Sequence, residues 1–235
     1  MSATVLITRP KAQAEAFAAS LEAAHGGPLH CVISPLIEIA PVAVVGALDE
    51  VKHVVFTSIN GVSQAMRVGI PVGITAWCVG TRTAQAAAEL GFDVRIADGN
   101  NRSLVALIVA QAPVGRMVHL RGRHVAGTVV DDVSAAGINC EAVIAYDQVA
   151  IAPTQLALDT LKGETPIIVP LFSPRSAKLF GQIADFNAPL HLVVISEAID
   201  VVQQNAPVVS RAVAKSRDGA GMVAATLARY AEISP

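Results

Sequence analysis

One short stretch, residues 54–62, most restricts how this chain can fold. An apolar run breaks abruptly into Thr-Ser-Ile-Asn-Gly at residues 57–61. This pattern is typical of a buried β-strand that passes directly into a helix, whose first backbone N–H groups are capped by a Ser or Asn and can bind an anion. The same pattern recurs at residues 167–177, where Ser173 follows another apolar run. Two such turns predict two lobes with a cleft between them.

The rest of the chain alternates short apolar runs with alanine-rich segments of helical period. Hydrophobic residues make up 53% of the chain and aromatic residues only 4%, so the core must consist mainly of aliphatic side chains. Aliphatic strands that alternate with helices are typical of parallel sheets with helices on both faces. The sequence therefore predicts an α/β fold with two doubly wound parallel-sheet lobes.

Two segments of equal length, residues 5–41 and 117–153, share one order of elements. Each has an apolar strand, a turn with an arginine, an Ala/Val-rich helix, a glycine break, a second strand and an extended segment that ends in proline. The chain thus resembles a duplicated unit, and its two extended segments predict two passages between the lobes. The predicted boundaries are 1–36 with 152–235 for the first lobe, 43–145 for the second lobe, and 37–42 with 146–151 for the connectors.

Charge and composition exclude several classes of protein. A net charge of −2 removes the electrostatic basis for binding nucleic acid or an anionic membrane. No apolar run reaches the roughly 18 residues of a membrane span, and the chain begins with a strand-like run rather than a signal peptide. The three cysteines are far apart, which predicts buried thiols rather than disulfides. His119 and His124 lack metal-site companions, so we expect both to be surface histidines and expect no metal site. We therefore expect a cytoplasmic protein.

Small hydroxyl side chains and arginines are concentrated in the predicted strand-to-helix turns. In a doubly wound sheet these turns lie at the carboxyl ends of the strands, where ligands bind. Helix capping and surface solubility explain any one turn more simply, but five such turns together favour a cleft that binds carboxylates or phosphates. The candidate side chains are Arg9, Thr57, Ser58, Asn60, Thr81, Arg82, Thr83, Arg121, Ser173 and Ser196.

Tyr146 is the strongest candidate for a catalytic group. The chain has two tyrosines, and this one begins the second predicted connector. A phenol there can donate a hydrogen bond into the cleft, although packing of the connector explains the position equally well. The chain has no Gly-x-Gly-x-x-Gly or Walker motif, which disfavours dinucleotide and nucleoside triphosphate sites. It also has no recognisable Ser/His/Asp or Cys/His catalytic set.

Five motifs, in this order and spacing, resemble those of the uroporphyrinogen-III synthase family. They are Val-Leu-Ile-Thr-Arg-Pro at 5–10, Pro-Leu-Ile-Glu-Ile at 35–39, Val-Phe-Thr-Ser-Ile-Asn-Gly-Val at 55–62, Val-Gly-Thr-Arg-Thr-Ala at 79–84, and Ala-Tyr at 145–146. The resemblance covers essentially the whole chain. It implies two α/β lobes joined by a two-stranded β connector, and no cofactor.

The resemblance also implies a reaction. Members of the family convert linear hydroxymethylbilane into cyclic uroporphyrinogen III in porphyrin and heme biosynthesis, with loss of water and inversion of the last pyrrole ring through a spiro intermediate. This implies a cyclising hydro-lyase in which Tyr146 helps the hydroxyl group leave and Ser58, Thr83 and Ser173 line the cleft. One departure is the turn at 196–199, where Ser-Glu-Ala-Ile replaces a Gly-x-x-Thr turn and the expected hydroxyl is absent.

Two other functions fit the same fold. A two-lobe binding or sensor protein for an anionic small molecule would use the cleft without chemistry. A phosphosugar or nucleotide enzyme is disfavoured because a phosphate-loop motif is missing. For the enzyme we expect a monomer whose partners are the linear tetrapyrrole and the upstream hydroxymethylbilane-forming enzyme.

Overall fold

The computed structural model describes residues 2–124, 127–184, 186–199 and 208–234. The strands are β1 (Thr4–Ile7), β2 (Cys31–Ile33), β3 (Ile37–Pro41), β4 (Val51–Phe56), β5 (Thr75–Cys78), β6 (Asp93–Ile96), β7 (Arg116–Gly122), β8 (Cys140–Ala150), β9 (Ile167–Leu171), β10 (Leu190–Val194) and β11 (Val208–Val213). The helices are α1 (Lys11–His25), α2 (Ile59–Val62), α3 (Thr81–Glu89), α4 (Asn101–Gln111), α5 (Val129–Ala135), α6 (Gln155–Lys162), α7 (Pro174–Phe180) and α8 (Gly219–Ile233).

The chain divides into two compact units. The first unit comprises residues 1–38 and 149–235, and the second comprises residues 39–148. The chain passes from one unit to the other within β3 and again within β8, and these two strands are neighbours in one sheet. The lobe boundaries stated above, which differ from these divisions by a few residues, remain a prediction.

The first unit contains a five-stranded sheet with the order β11-β10-β9-β1-β2, in which every pair of neighbours is parallel. Alternate residues of one strand enter different cores: Leu6 packs with the cluster around α6 and α7, and Val5 and Ile7 pack with the cluster around α1 and α8. Both faces of the sheet are therefore covered, and all five residues of β9 are buried.

The second unit contains a six-stranded sheet with the order β3-β8-β7-β4-β5-β6. The strands β8, β7, β4, β5 and β6 are parallel. The backbone N–H of Val42, just beyond β3, donates to the carbonyl of Ala145 in β8. On β4, Val54 and Phe56 enter one core cluster and Val55 enters the other. The predicted α/β fold, with two doubly wound parallel sheets, is confirmed.

Local sequence patterns do not give the extent of every element. The pattern near residues 48–51 predicts a helix, but this segment is a turn, because Val51 already pairs with Arg116 as the first residue of β4. The pattern after β4 predicts a helix through Met66, whereas the helix is regular only over Ile59–Val62, and no pattern predicts α6. A last strand is predicted over residues 207–209; it extends to Val213, and Pro207 itself lies outside the described residues.

Tyr146 lies inside the 11-residue strand β8, which pairs with β7 as far as Tyr146 and then continues without a break. Among the described residues, no helix is long and apolar enough to cross a membrane.

Candidate active site

The predicted site residues of the second unit follow neighbouring parallel strands. Ser58 follows β4, Thr81 follows β5, Arg121 lies at the end of β7, and Tyr146 lies in β8. These four strands are adjacent in the sheet, in the order β8-β7-β4-β5. Because the carboxyl ends of adjacent parallel strands share one edge of a sheet, these residues are brought to one edge of the second unit.

Tyr146 is held against a glycine of the neighbouring strand. Its side chain is buried, with 4% exposure, and it is the register partner of Gly122 just after an irregularity between Arg121 and Gly122. A Cβ atom added to Gly122 would lie 2.6 Å from Cε2 and 2.9 Å from Cζ of the tyrosine ring. Only a residue without a side chain leaves room for the ring at this position.

Two opposing effects act on the acidity of the Tyr146 phenol. The side chain of Ser58 and the backbone of Gly122 lower its pKa. Burial has the larger, opposite effect, so the pKa of Tyr146 is raised above its usual value of 10.0. The phenol is therefore neutral at physiological pH and retains a proton that it can donate.

The Ser-Ile-Asn-Gly segment after β4 has a local structural explanation. The Ser58 hydroxyl oxygen accepts a 3.2 Å hydrogen bond from the backbone N–H of Asn60 and caps α2, as the sequence pattern predicts. Gly61 allows α2 to approach β7, since an added Cβ atom would lie 2.6 Å from the Leu120 carbonyl oxygen. With only four residues, α2 contributes little helix dipole, so the anion site predicted here depends on the side chains rather than on the helix.

His119 is buried beneath this edge, contrary to the prediction of a surface histidine. Its exposure is 4%, because alternate residues of the central strand β7 point into the core. Its Nε2 lies 3.0 Å from the hydroxyl oxygen of Thr57. Burial, assisted by the nearby positive charge of Arg121, lowers the pKa of His119 to about 4. A neutral imidazole therefore orients the Thr57 hydroxyl at physiological pH.

The three candidates after β5 form the first turn of α3 instead of the loop before it. Thr81 and Arg82 are exposed, and Thr83 is buried. The capping residue of this nine-residue helix is Gly80, which offers no side-chain hydrogen bond. Exposed N–H groups at the start of a helix favour a negatively charged group.

Arg67 is a residue of this region that the sequence analysis missed. Its guanidinium donates to the carbonyl oxygens of Ala145 at 2.6 Å and Val42 at 3.0 Å, and to Gln64 Oε1 at 2.7 Å. It therefore ties the segment after α2 to the residue immediately before Tyr146. Nothing in the sequence distinguishes this arginine from one that merely improves solubility, because two of its three partners are backbone carbonyls distant in the chain.

Replacing Arg67 by alanine is expected to lower the free energy of unfolding by about 1–3 kcal/mol, since the two carbonyl oxygens lose a charged donor. Arg67→Lys should recover only part of this loss, because one ammonium group lacks the planar fork that reaches both oxygens. Urea unfolding measures the effect. Arg102→Ala, at an exposed position of α4, is the control. Equal stability of the two alanine variants would contradict the anchoring role.

The candidates of the first unit also follow adjacent parallel strands, β1, β9 and β10. The Arg9 guanidinium stacks over the Phe172 ring at 3.8 Å and donates to Gln13 Oε1 at 3.0 Å. Ser173 caps α7 by accepting a 3.1 Å hydrogen bond from the backbone N–H of Ser176. Arg9 and Ser173 are therefore brought to one edge of this unit.

Ser196 and Glu197 lie at the same edge, after β10. Ser196 is half-buried, and its carbonyl accepts a hydrogen bond from the backbone N–H of Ile199. Glu197 forms a 3.1 Å ion pair with Arg211 of β11. The extra negative charge of this turn is therefore balanced within the unit. In the described part of the chain, no group of three or more His, Cys, Asp or Glu side chains could hold a metal ion.

Comparison with known proteins identifies the family. Residues 15–224 match the family model described as uroporphyrinogen-III synthase HemD. The chain belongs to the uroporphyrinogen-III synthase family. A uroporphyrinogen-III synthase from Chlorobaculum parvum is 29% identical over an alignment of 194 residues, and the match covers 75% of this chain and 77% of the relative.

Solved structures of the family have the same fold. A uroporphyrinogen-III synthetase from Helicobacter pylori has a TM-score of 0.67 at 15% identity, over 97% of this chain and 100% of that one. A mutant uroporphyrinogen III synthase from Thermus thermophilus has a TM-score of 0.53 at 14% identity, over 98% of this chain and 99% of that one. At these identities the likeness shows the fold, and the roles of individual site residues remain predictions.

Proposed function

We propose that this protein converts hydroxymethylbilane into uroporphyrinogen III, with loss of water and inversion of the last pyrrole ring. The observation that carries the proposal is the match to the uroporphyrinogen-III synthase family over residues 15–224. The arrangement around Tyr146 supports it, because a buried neutral phenol can assist a leaving hydroxyl. The rival binding or sensor function has no comparable support.

The chemistry requires little from the protein beyond positioning and one donor. The electron-rich pyrrole that carries the hydroxymethyl group expels the hydroxyl, and the Tyr146 phenol supplies a hydrogen bond or a proton to the departing oxygen. The protein must then hold the linear chain so that the carbon that leads to the inverted ring attacks. Without such positioning, the substrate closes to the uninverted isomer.

The proposed substrate-binding groups suit a ligand with many carboxylates. Arginines donate charge-assisted hydrogen bonds to carboxylates, and hydroxyls and free N–H groups at helix starts add neutral donors. The proposed groups are Arg9, Thr57, Ser58, Asn60, Thr81, Arg82, Thr83, Arg121, Ser173 and Ser196.

We extend the proposal to the setting of the enzyme. A cytoplasmic location is supported by the three free cysteines, which suit a reducing compartment. We propose a monomer with two lobes, bounded as predicted from the sequence, that receives its unstable substrate from the upstream hydroxymethylbilane-forming enzyme.

The decisive experiment separates the isomers of the product. Hydroxymethylbilane is generated in place, this protein is added, and the products are oxidised and separated into type I and type III uroporphyrins by chromatography. Predominantly type III product is expected, with type I in a control without the protein. Type I alone, in the presence of protein shown to be folded by circular dichroism, would contradict the enzyme and favour the binding protein.

Replacing Arg82 by alanine should raise KM about tenfold and change kcat by less than about twofold, since the exposed guanidinium of α3 binds a substrate carboxylate and not the reacting carbon. Steady-state kinetics with the coupled assay measure both constants. Arg95→Ala is the matched control, because Arg95 of the edge strand β6 pairs with Asp93. An unchanged KM would remove Arg82 from the substrate site.

A further inference from the structure

We propose that His119 is a positioning residue of the substrate site. Its Nε2–H donates a hydrogen bond to the Thr57 hydroxyl, whose own hydrogen is thereby directed to a substrate carboxylate that also binds Arg121. This inference rests on the proposed function. It gives the buried histidine a role that the sequence pattern did not indicate, and it joins Thr57 and Arg121 in one carboxylate site.

His119, Thr57 and Arg121 lie on one face of the six-stranded sheet. Val55 of β4 is the register partner of His119 of β7, and Thr57 and Arg121 each lie two residues farther along the chain. Because side chains two residues apart on a strand share a face, all three are on the face covered by α4 and α5. The imidazole is therefore one step inside the edge of the sheet at which Thr57 and Arg121 lie.

The Thr57 hydroxyl has one hydrogen to donate and lone pairs that can accept. Within the described part of the chain, its hydrogen-bond partner is His119, with 3.0 Å between Oγ1 and Nε2. If the imidazole accepted the hydroxyl hydrogen, the threonine would present only lone pairs to an anion. An Nε2–H donor takes up a lone pair instead and leaves the hydrogen for a carboxylate. The Nε2–H tautomer is therefore the one that lets Thr57 bind a carboxylate.

Burial keeps the histidine in the form that this role requires. The residue has 4% exposure, in the central strand β7. Burial and the nearby Arg121 lower the pKa of His119 to about 4, so the ring is neutral at physiological pH and has a single N–H. His119 therefore supplies direction to the Thr57 hydroxyl without adding a charge of its own.

Arg121 supplies the positive charge of the proposed site. In the described parts of the chain, the arginines that form ion pairs with carboxylates are Arg95, Arg116, Arg123, Arg211 and Arg229. In the same parts of the chain Arg121 has no carboxylate partner, and its Nη1 donates one long bond, 3.4 Å, to the carbonyl oxygen of Gly122. A half-buried guanidinium without a counter-ion favours an anionic ligand.

Kinetics of His119→Leu separate orientation of the hydroxyl from the chemical step. Leucine fills the buried space but cannot donate a hydrogen bond, so Thr57 loses its orientation. We expect KM to rise about tenfold and kcat to change by less than about twofold. His119→Gln, whose amide can donate in place of the Nε2–H, should bring KM back to within about threefold of the unmodified protein. An unchanged KM in His119→Leu, or no recovery with glutamine, would overturn the proposal.

The matched control is His191→Leu. His191 is also a buried histidine bonded to a hydroxyl, since its Nδ1 lies 2.8 Å from Oγ of Ser210. It is the second residue of β10, at the opposite end of that strand from Ser196. Loss of the same kind of hydrogen bond away from the site should leave KM unchanged. An equal rise of KM in both leucine variants would show a general effect of removing a buried histidine and would overturn the proposal.

A double-variant comparison tests whether His119 acts through Thr57. Valine has the shape of threonine without the hydroxyl, so Thr57→Val should by itself raise KM about tenfold. In that background, His119→Leu should raise KM by less than about twofold further, since no hydroxyl remains to be oriented. Increases in KM that multiply in the double variant would show that the two residues act independently and would contradict the positioning role.

The tautomer of His119 can be measured without any substrate. In protein labelled with ¹⁵N in the histidine rings, the His119 signals are those missing from His119→Gln, and their chemical shifts show which ring nitrogen carries the hydrogen. At neutral pH we expect the hydrogen on Nε2. A hydrogen on Nδ1 would leave Nε2 to accept from Thr57 and would overturn the inference, whereas failure to form type III product would count only against the proposed function.

Discussion

Replacing Tyr146 by phenylalanine is expected to lower kcat roughly 100-fold, the usual order for loss of a general acid or of a strong hydrogen-bond donor at a leaving group. The ring remains in its place over Gly122, so substrate binding should change little. The coupled assay measures kcat and KM, and urea unfolding checks that the variant, which keeps the buried ring, is folded.

The matched control for this variant is Tyr230→Phe. Tyr230 lies in α8 of the first unit, where its ring makes an edge contact with His25. The same hydroxyl is removed from the same type of ring, but away from the proposed site, so kcat should remain that of the unmodified protein. If Tyr146→Phe also retained full kcat, Tyr146 would have no part in the mechanism.

The second large effect is a loss of stability in acid caused by His119. Its pKa is about 4 in the folded chain, against 6.5 for an unperturbed histidine, because the imidazole is buried and near Arg121. Below pH 6.5 the imidazole is protonated in the unfolded chain, whereas in the folded chain it stays neutral down to about pH 4. Above pH 6.5 the imidazole is neutral in both states, and as the pH falls its protonation in the unfolded state lowers the free energy of unfolding. By linkage, the loss from pH 7 to pH 4 is about 3 kcal/mol.

Comparison with His119→Gln isolates this contribution. A glutamine side chain does not titrate, and its amide can take the place of Nε2 beside Thr57. Urea unfolding at several values between pH 7 and pH 4 should show that the unmodified protein loses about 3 kcal/mol more than the variant. His191, whose pKa is also lowered by burial, is present in both proteins and cancels in the difference. Parallel pH profiles would show that His119 is not the source of the acid sensitivity.

The sequence by itself determined the class of fold, since secondary structure and burial follow from local patterns. The run at β9 and the period of α8 predict a strand and a helix because apolar residues recur at intervals of those structures. Caps are local as well: Ser58 and Ser173 each bond an N–H group within three residues. The length of α2 and the presence of α6 did not follow from local patterns, because the formation of short helices depends on packing as well as on local preference.

Only the tertiary structure decided which distant groups meet. The sequence motifs singled out Tyr146, Ser58 and Thr57. The strand order β8-β7-β4 then placed Gly122 against the Tyr146 ring and buried His119 beside Thr57. Arg67 reaches the Ala145 carbonyl across a separation of 78 residues. Strand order and register arise from the packing of the whole sheet, and a shift of one residue would turn each of these side chains to the opposite face. For that reason, local patterns revealed the candidate residues but not the hydrogen bonds that set their chemistry.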